Sequence, residues 1–233
     1  MARLYLIPNF ISENDEESQI SSEVKKIIEN TGVFIVENIR NARRFIRKLS
    51  KEKNIDDITF YELNKHTSTD EIPSFLKPLK EGKDVGLISE AGVPCVADPG
   101  SVIVSMAQDM NIEVVPLVGP SSILLALMAS GLNGQQFNFH GYLPIPKEER
   151  LKKLRSLDKI VHAEGHTQIF IETPYRNNQL LKDMMQVCHQ KTKICLGTDI
   201  FGKDGFIKTK TVLEWKKCIP ELHKKTVVFL MGL

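Results

Sequence analysis

This chain of 233 residues lacks the features that mark membrane, secreted and disulfide-stabilised proteins. Its longest apolar stretch, residues 123–129, is far shorter than the roughly 20 residues that a membrane-spanning helix needs. The apolar run at the N-terminus is too short for a secretory signal and predicts a first β-strand instead. The four cysteines are widely spaced and form no CxxC pair. We therefore expect a cytoplasmic protein whose cysteines are reduced and act as small, buried hydrophobic side chains.

The charge balance and several missing motifs exclude further classes of protein. With 31 basic and 29 acidic residues the formal net charge is only +2, so a nucleic-acid interface would have to come from a local patch. Hydrophobic residues make up 42% of the chain, which excludes a disordered protein. No GxGxxG follows the first predicted strand, and no GxxxxGKS/T, GxSxG or HExxH occurs. A common dinucleotide-binding fold and a P-loop NTPase therefore lose support.

In the first half of the chain, short apolar runs alternate with segments of helical period, a pattern typical of α/β proteins. Because the apolar runs are continuous rather than alternating, they predict a parallel sheet covered on both faces, with right-handed crossovers. A helix over residues 72–79 is expected to be capped by Asp70. The predicted strands are Leu4–Ile7, Val33–Val36, Ile58–Leu63, Val85–Ile88 and Val114–Leu117.

The second half predicts another α/β domain, this time with a mixed sheet. Residues 121–132 are apolar nearly all round and predict a buried helix. The last two predicted strands have only a short helix between them, which favours antiparallel or mixed pairing. We expect two α/β domains, residues 1–117 with a mostly parallel five-stranded sheet and residues 118–233 with a mixed sheet. The predicted elements of the second domain are strands Phe137–Tyr142, Ile169–Ile171, Ile194–Thr198, Phe206–Val212 and Thr226–Met231 and helices Lys147–His162, Arg176–His189 and Leu213–Lys217.

A loop rich in glycine and proline, residues 89–100, follows the fourth predicted strand. Open α/β sheets bind ligands at the carboxyl ends of their strands. Gly92 and Gly100 permit close backbone approach, and Glu90 supplies a carboxylate. Alternatively, Asp98 and Pro99 only begin the next helix, with Asp98 as its cap. That purely structural role does not explain the residues at the beginning of the loop, 89–92.

A second loop of this kind, residues 116–122, follows the fifth predicted strand. Ser121 and Ser122 either cap the next helix or offer hydroxyl and amide groups to a ligand that lies across both strand ends. Two loops of this kind at the ends of adjacent strands favour a ligand pocket.

One histidine pair has the spacing of metal ligands. His162 and His166 are four residues apart and would share a helix face, but Gly165 interrupts the helical pattern and no third ligand stands nearby. We therefore interpret the pair as a solvent-exposed helix end and expect no metal.

Several segments, in order along residues 4–176, resemble motifs of the tetrapyrrole methylase superfamily. The likeness is strongest to the branch that acts on small-subunit ribosomal RNA. Residues 89–100 resemble its SDAGTPxxSDPG segment, and residues 115–122 resemble its VPLPGPSA segment. The segments with weaker or shorter likeness are Leu4–Asn9, Glu37–Arg40, Ala129–Leu132, His140–Pro144 and Phe170–Arg176.

The resemblance implies a two-domain methyltransferase that uses S-adenosylmethionine. Members of this family are usually homodimers and fold the cofactor between their domains. Ribosomal RNA or the small ribosomal subunit would be the partner, with no membrane involved. Carried over by position, the implied cofactor contacts are Ser89, Glu90, Ala91, Gly92, Val93, Val96, Ser121, Ser122, Ile171 and Thr173.

Within this resemblance, the methyl acceptor is expected to be a ribose 2′-hydroxyl of ribosomal RNA. Such a hydroxyl is weakly acidic and needs a base, or a cation that stabilises the alkoxide. The candidate catalytic residues are Glu172, Arg176 and Arg40, with Glu37 and His140 as further candidates. Alternatively, Glu172 and Arg176 form only an i,i+4 ion pair at a helix start.

Some positions depart from the family pattern. Glu90 replaces Asp, Val93 replaces Thr, and Tyr175 replaces His. Two alternatives therefore stay open, a methyltransferase for a tetrapyrrole or other small molecule and a cofactor-binding paralogue without activity.

Two clusters of basic residues are candidates for contact with RNA. Each cluster is also explained as the solvent-exposed face of a helix. Glu148 and Glu149 reduce the positive charge of the second cluster. The first cluster is Arg40, Arg43, Arg44, Arg47 and Lys48, and the second is Lys147, Arg150, Lys152, Lys153 and Arg155.

Overall fold

The computed structural model describes residues 2–12, 14 and 16–233, with the backbone alone for 16 and 17. These residues divide into two compact units, the first ending at Ser121 and the second starting at Ser122. The predicted boundary lies after residue 117, a few residues earlier. We call them the N-terminal unit and the C-terminal unit.

The N-terminal unit contains a five-stranded sheet in the order β3-β2-β4-β1-β5, and every neighbouring pair is parallel. The prediction of a parallel sheet is therefore confirmed, and all five carboxyl ends lie along one edge. Its strands are β1 Arg3–Ile7, β2 Val33–Val36, β3 Thr59–Glu62, β4 Val85–Ile88 and β5 Glu113–Pro116; its helices are α1 Glu16–Gln19, α2 Ser22–Asn30, α3 Ile39–Leu49, α4 Lys77–Lys80 and α5 Ser101–Asp109, with 3-10 helices at Ile55–Asp57 and Ile72–Leu76.

Helices cover both faces of this sheet, as the continuous apolar strands require. All four residues of β2 and of β4 are buried. One face packs against α2 and α3, and the other against α5 and the 3-10 helix at 72–76. Gly86 leaves room for this packing, because a Cβ there would lie 2.7 Å from the side chains of Ile7 and Phe34.

The C-terminal unit contains a mixed sheet in the order β6-β7-β10-β8-β9. The β6–β7 pair is parallel and the other three pairs are antiparallel, so the mixed sheet predicted from the short final connections is confirmed. Its strands are β6 Phe137–Tyr142, β7 Thr167–Ile171, β8 Lys193–Thr198, β9 Phe206–Thr211 and β10 Val227–Gly232; its helices are α6 Ser122–Ser130, α7 Lys147–Glu164, α8 Asn177–Val187 and α9 Val212–Trp215.

Three local predictions are wrong. Residues 72–76 form a 3-10 helix preceded by Glu71, so Asp70 is not its cap. Asp98 does not cap α5 either, because α5 begins at Ser101 after Gly100. Helix α6 is not buried all round, since Met128 is 79% exposed. In each case the local pattern predicted a helix correctly. It did not predict which residue precedes the helix or which face of the helix is buried.

The histidine pair lies at the end of a helix, as the sequence predicts. Gly165 adopts a left-handed φ of 69° and terminates α7 between the two histidines. His162 contacts the Thr192 hydroxyl at 2.9 Å, and His166 lies 3.2 Å from Glu164. Across residues 2–12, 14 and 16–233 there is no group of three ligating side chains with metal-site geometry. The helices within this part of the chain also include none long and apolar enough to span a membrane.

The four cysteines differ in exposure. Cys188 and Cys195 are buried and Cys95 is half-buried, as expected for small hydrophobic side chains, whereas Cys218 is exposed, contrary to that expectation. Burial raises the pKa of the Cys95 thiol to about 11 and that of Cys188 to about 12, and it also raises the pKa of Cys195. Since the thiolate is the reactive form, the raised pKa protects all three thiols, and burial also shields Cys188 and Cys195 sterically.

We predict that an aromatic disulfide reagent at pH 8 labels Cys218 rapidly in the folded protein, while the half-buried Cys95 reacts slowly and Cys188 and Cys195 react only after unfolding in denaturant. The measurement is the time course of thiol release with and without denaturant. In the Cys218→Ser variant the rapid phase should disappear; a rapid phase that persists would contradict the burial of the remaining thiols.

Candidate functional site

Three loops meet at the carboxyl edge of the parallel sheet, and the side chain of Asn9 connects two of them. Asn9 directly follows β1 and is 8% exposed. Its amide nitrogen donates to the carbonyl oxygens of Ser89 at 2.9 Å and of Glu90 at 3.2 Å. The backbones of Asn9 and Gly92 also exchange two hydrogen bonds, of 2.9 and 3.1 Å. The loop after β4 is therefore tied to the loop after β1 at its first residues.

The loop after β5 lies against the same place through glycine. A Cβ on Gly119 would fall 2.1 Å from the Cβ of Pro8, far inside van der Waals contact. At Gly92, where φ is +69°, a Cβ would fall 3.0 Å from the carbonyl oxygen of Pro120. Glycine is thus required where the three strand exits converge.

In the loop after β4, the buried residues shape the loop and the exposed residues are available to a ligand. Ser89 is buried, and its hydroxyl donates to the Gly92 carbonyl at 2.7 Å. Glu90, Ala91 and Val96 are exposed, and Val93 is half-buried. Of the predicted cofactor residues, Ser89 and Gly92 therefore shape the loop, whereas the others present a carboxylate and apolar surface.

Glu90 is held by the first turn of α3. Its carboxylate accepts a hydrogen bond of 2.5 Å from the side-chain amide of Asn41. Asn38, the N-cap of α3, accepts a bond of 3.0 Å from the backbone N–H of Asn41. The Glu90 carboxylate therefore has a fixed position at the sheet edge although it is exposed to solvent.

Glu37 follows β2 at the same edge. Its carboxylate accepts a hydrogen bond of 3.3 Å from the Glu90 backbone N–H. Burial raises the pKa of Glu37 most, and the negative charges of Asp98 and Glu90 add to the rise. A half-buried carboxylate with a raised pKa at the ligand edge is a candidate general base.

The rest of the loop is shaped by Asp98 rather than by a helix cap. Its carboxylate accepts from the backbone N–H of Cys95 at 2.8 Å and of Gly100 at 2.7 Å. Cys95 and Ala97 have left-handed φ values of 68° and 62°. This conformation is costly for residues that carry a Cβ, and the two bonds to Asp98 help to stabilise it.

In the C-terminal unit, the end of β7 holds a buried ion pair. The Glu172 side chain is 1% exposed and accepts hydrogen bonds from Arg176 at 2.5 and 3.0 Å and from the Thr173 N–H at 2.6 Å. This geometry supports the i,i+4 ion pair and leaves Glu172 poorly placed to receive a proton. Ile171 is half-buried and Thr173 exposed, so both remain available to a ligand.

The remaining predicted residues lie in three places. Ser121 ends the N-terminal unit and Ser122 begins α6, and both are half-buried. His140 on β6 contacts the Gln168 side chain at 2.8 Å. Arg40 is exposed in the first turn of α3.

Arg150 does not belong to an exposed basic cluster, and that prediction is wrong. It is buried on α7 and pairs with Asp183 of α8 at 2.7 Å. It also donates to the carbonyl oxygens of Pro144 and Ile145. The arginine anchors the loop before α7 instead of meeting a ligand.

Sequence reasoning missed Asn9 and Asn41 as site residues. Asn9 ends a segment of weak likeness to the family, and Asn41 directly follows Arg40, the last residue of another such segment. Their partners are 80 and 49 residues away along the chain, and a local pattern carries no signal of such pairing.

Comparison with known proteins decides the family. A model of the family described as Tetrapyrrole (Corrin/Porphyrin) Methylases matches residues 15–200. The chain belongs to this family. It is therefore a methyltransferase, and the resemblance noted in its loops is confirmed.

Individual relatives agree with this assignment. The chain is 29% identical over 231 residues to Ribosomal RNA small subunit methyltransferase I of Buchnera aphidicola subsp. Schizaphis graminum, covering 98% of this chain and 77% of that protein. It is 32% identical over 187 residues to the protein of the same name from Bacillus subtilis, covering 80% and 60%. Among solved structures, the methyltransferase CobJ has a TM-score of 0.66 at 17% identity, covering 100% of this chain and 94% of that one. The last match shows the shared fold.

We predict that Gly119→Ala lowers the free energy of unfolding by about 1–3 kcal/mol, because the new methyl group must displace Pro8 or its own loop. The measurement is urea denaturation followed by circular dichroism. Gly32→Ala is the matched control, since nothing lies within 4 Å of a Cβ there; it should change stability by less than about 0.5 kcal/mol. Equal effects of the two substitutions would contradict the close contact of the loops.

Proposed function

We propose that this protein transfers a methyl group from S-adenosylmethionine to a ribose 2′-hydroxyl of small-subunit ribosomal RNA. The observation that carries the proposal is the match over 98% of the chain to a ribosomal RNA small subunit methyltransferase I. The family model and the loops at the carboxyl edge of the sheet support the methyl-transfer part independently of the RNA part.

The residues at the sheet edge fit the cofactor chemically. Val93 and Val96 offer apolar surface for an adenine ring, and the fixed carboxylate of Glu90 suits ribose hydroxyls or an ammonium group. In the C-terminal unit, Ile171 and Thr173 remain available, and Ser121 and Ser122 flank the boundary of the units. When bound, S-adenosylmethionine supplies a methyl group on a positively charged sulfonium.

The protein must also take a proton from the acceptor hydroxyl. Glu172 is bound to Arg176 and buried, so Glu37 is our candidate for this role. Burial raises the pKa of Glu37 above its ordinary value, which makes its carboxylate a stronger base toward the acceptor hydroxyl. The Arg40 guanidinium, on the helix that follows β2 and Glu37, is our candidate for stabilising the developing negative charge. The expected homodimer stays a prediction.

We predict that the purified protein binds S-adenosylmethionine in calorimetric titration and transfers labelled methyl groups to small ribosomal subunits from cells that lack this activity. Glu90→Ala should weaken cofactor binding about tenfold or more, because a charged hydrogen-bond partner is lost. The exposed Glu23→Ala serves as the control and should bind like wild type. Cofactor binding with label in a tetrapyrrole and none in RNA would favour the small-molecule alternative, and cofactor binding with no transfer at all would favour an inactive paralogue.

We predict that Glu37→Gln lowers kcat for methyl transfer about 10²-fold or more while leaving cofactor affinity unchanged, because it removes the base and not the binding surface. A base whose pKa is raised becomes active only above that pKa, so the wild-type rate should rise with pH through a value above the usual Glu range. The substitution should abolish this rise, whereas the exposed Glu52→Gln should retain it. An unaltered pH profile for Glu37→Gln would exclude Glu37 as the base.

A further inference from the structure

Helix α3 presents a row of four arginines on one face. Arg40, Arg43, Arg44 and Arg47 are spaced i, i+3, i+4 and i+7, and all four are exposed. The opposite face, with Ala42, Phe45 and Ile46, is buried in the core of the N-terminal unit. Because the apolar face fixes the rotation of the helix, the arginine row is held toward solvent.

Most of the positive charge of the arginine row is not neutralised by carboxylates of the protein. Arg43 pairs with Asp56 at 2.5 Å, and Arg44 donates to the uncharged amide oxygen of Asn41 at 2.6 Å. Within the part of the chain that the structure describes, no carboxylate lies within ion-pair distance of Arg40 or Arg47. Four guanidinium groups with one carboxylate between them repel one another and favour a polyanion.

Two open cavities flank this row. The first, of about 540 Å³, is lined by Ile39, the four arginines and Asp56. The second, of about 430 Å³, lies toward the sheet edge, and its lining includes Phe10, Asn41, Arg44 and Glu90. Arg44 lines both, so the arginine row runs from open surface into the loops of the candidate site.

The second cavity has the chemistry of a nucleobase site. The Phe10 ring is half-buried and rests edge-on against Phe45, with ring centroids 5.2 Å apart. The Asn41 amide and the Glu90 carboxylate lie on the same lining. The Phe10 ring offers stacking and the Asn41 side chain offers hydrogen bonding to an unpaired base, while the Glu90 carboxylate beside them is left to the cofactor.

We propose that the arginine row of α3 binds the phosphates of a single-stranded RNA segment, and that the cavity beside Phe10 takes one unpaired base next to Glu90. This inference rests on the proposed function and assigns the RNA surface within it. Guanidinium groups match phosphate oxygens in geometry. Single strands are the form of RNA whose bases are free to stack on protein rings.

The second basic helix does not share these properties. On α7 the basic residues alternate with Glu148, Glu149 and Asp158, and Arg150 is used internally by Asp183. Lys152 and Arg155 are exposed on this helix and carry the same charge as two arginines of α3. They therefore provide a control with an identical change in net charge.

The test compares the double variants Arg44→Gln/Arg47→Gln and Lys152→Gln/Arg155→Gln. The probe is a fluorescent, unstructured oligoribonucleotide of about 16 nucleotides, titrated at several salt concentrations. We expect the α3 variant to lose affinity about tenfold or more at low salt and to reduce the slope of log K against log salt by about 1.4, since two single-strand phosphate contacts disappear. The α7 variant should stay within about twofold of wild type.

Phe10 is tested by Phe10→Leu, which keeps an apolar side chain against Phe45 but removes the ring face. We expect about tenfold weaker binding of the single strand with little change in the salt slope, because stacking and not charge is lost. A cooperative thermal transition, expected to be only slightly lower for Phe10→Leu because its edge contact with Phe45 is lost, and a cofactor affinity that matches wild type show that each variant is folded.

The outcomes separate this inference from the proposed function. If wild type methylates RNA and the α3 variant binds the oligoribonucleotide as tightly as the α7 variant does, the assignment of the surface is wrong while the function stands. If wild type binds the cofactor but neither binds nor methylates RNA, the function fails and the inference with it. If the α3 substitutions change the oligomeric mass in light scattering and leave RNA affinity intact, the row contacts protein, which also overturns the inference.

Discussion

The side-chain amide of Asn9 is the constraint on which the candidate site depends. One nitrogen bonds two consecutive carbonyl oxygens at the start of the loop after β4, and the backbone of the same residue pairs with Gly92. A buried amide that lost these partners would remain unsatisfied at considerable cost. The position of Glu90, and through it the contact with α3, follows from this connection, as does the room that Gly92 and Gly119 leave for the third loop.

The parallel sheet brings these loops together because β1 pairs with both β4 and β5. Strands β1, β4 and β5 are neighbours in the sheet although they are far apart in the chain. Since parallel strands end at the same edge, polar loops that follow them must meet there. In this chain the order of the strands determines which loops are adjacent, and the arginine row of α3 begins at that same edge.

Much of the fold could be predicted because it depends on patterns among residues that are close together in the sequence. The continuous apolar runs of β2 and β4 predict burial on both faces. The short connection between β9 and β10 indicates a mixed sheet, although each of these strands pairs with β8 and not with the other. The glycine-rich loops at residues 89 and 116 were found for the same reason. What could not be predicted depends on partners distant in sequence. Arg150 resembles any other basic residue of α7 until Asp183 is known to lie beside it, and Asp98 resembles a helix cap until its bonds to Cys95 and Gly100 are seen.

The left-handed residues Cys95 and Ala97 have a consequence for ligand affinity. Their unfavourable backbone angles are maintained by hydrogen bonds within the loop itself, so the loop reaches its final shape when the chain folds. A small molecule that docks on it therefore meets a preorganised surface, and little of its binding energy is consumed in freezing backbone motion. Rigid recognition of this sort favours selectivity for the shape of one ligand over adaptability to many.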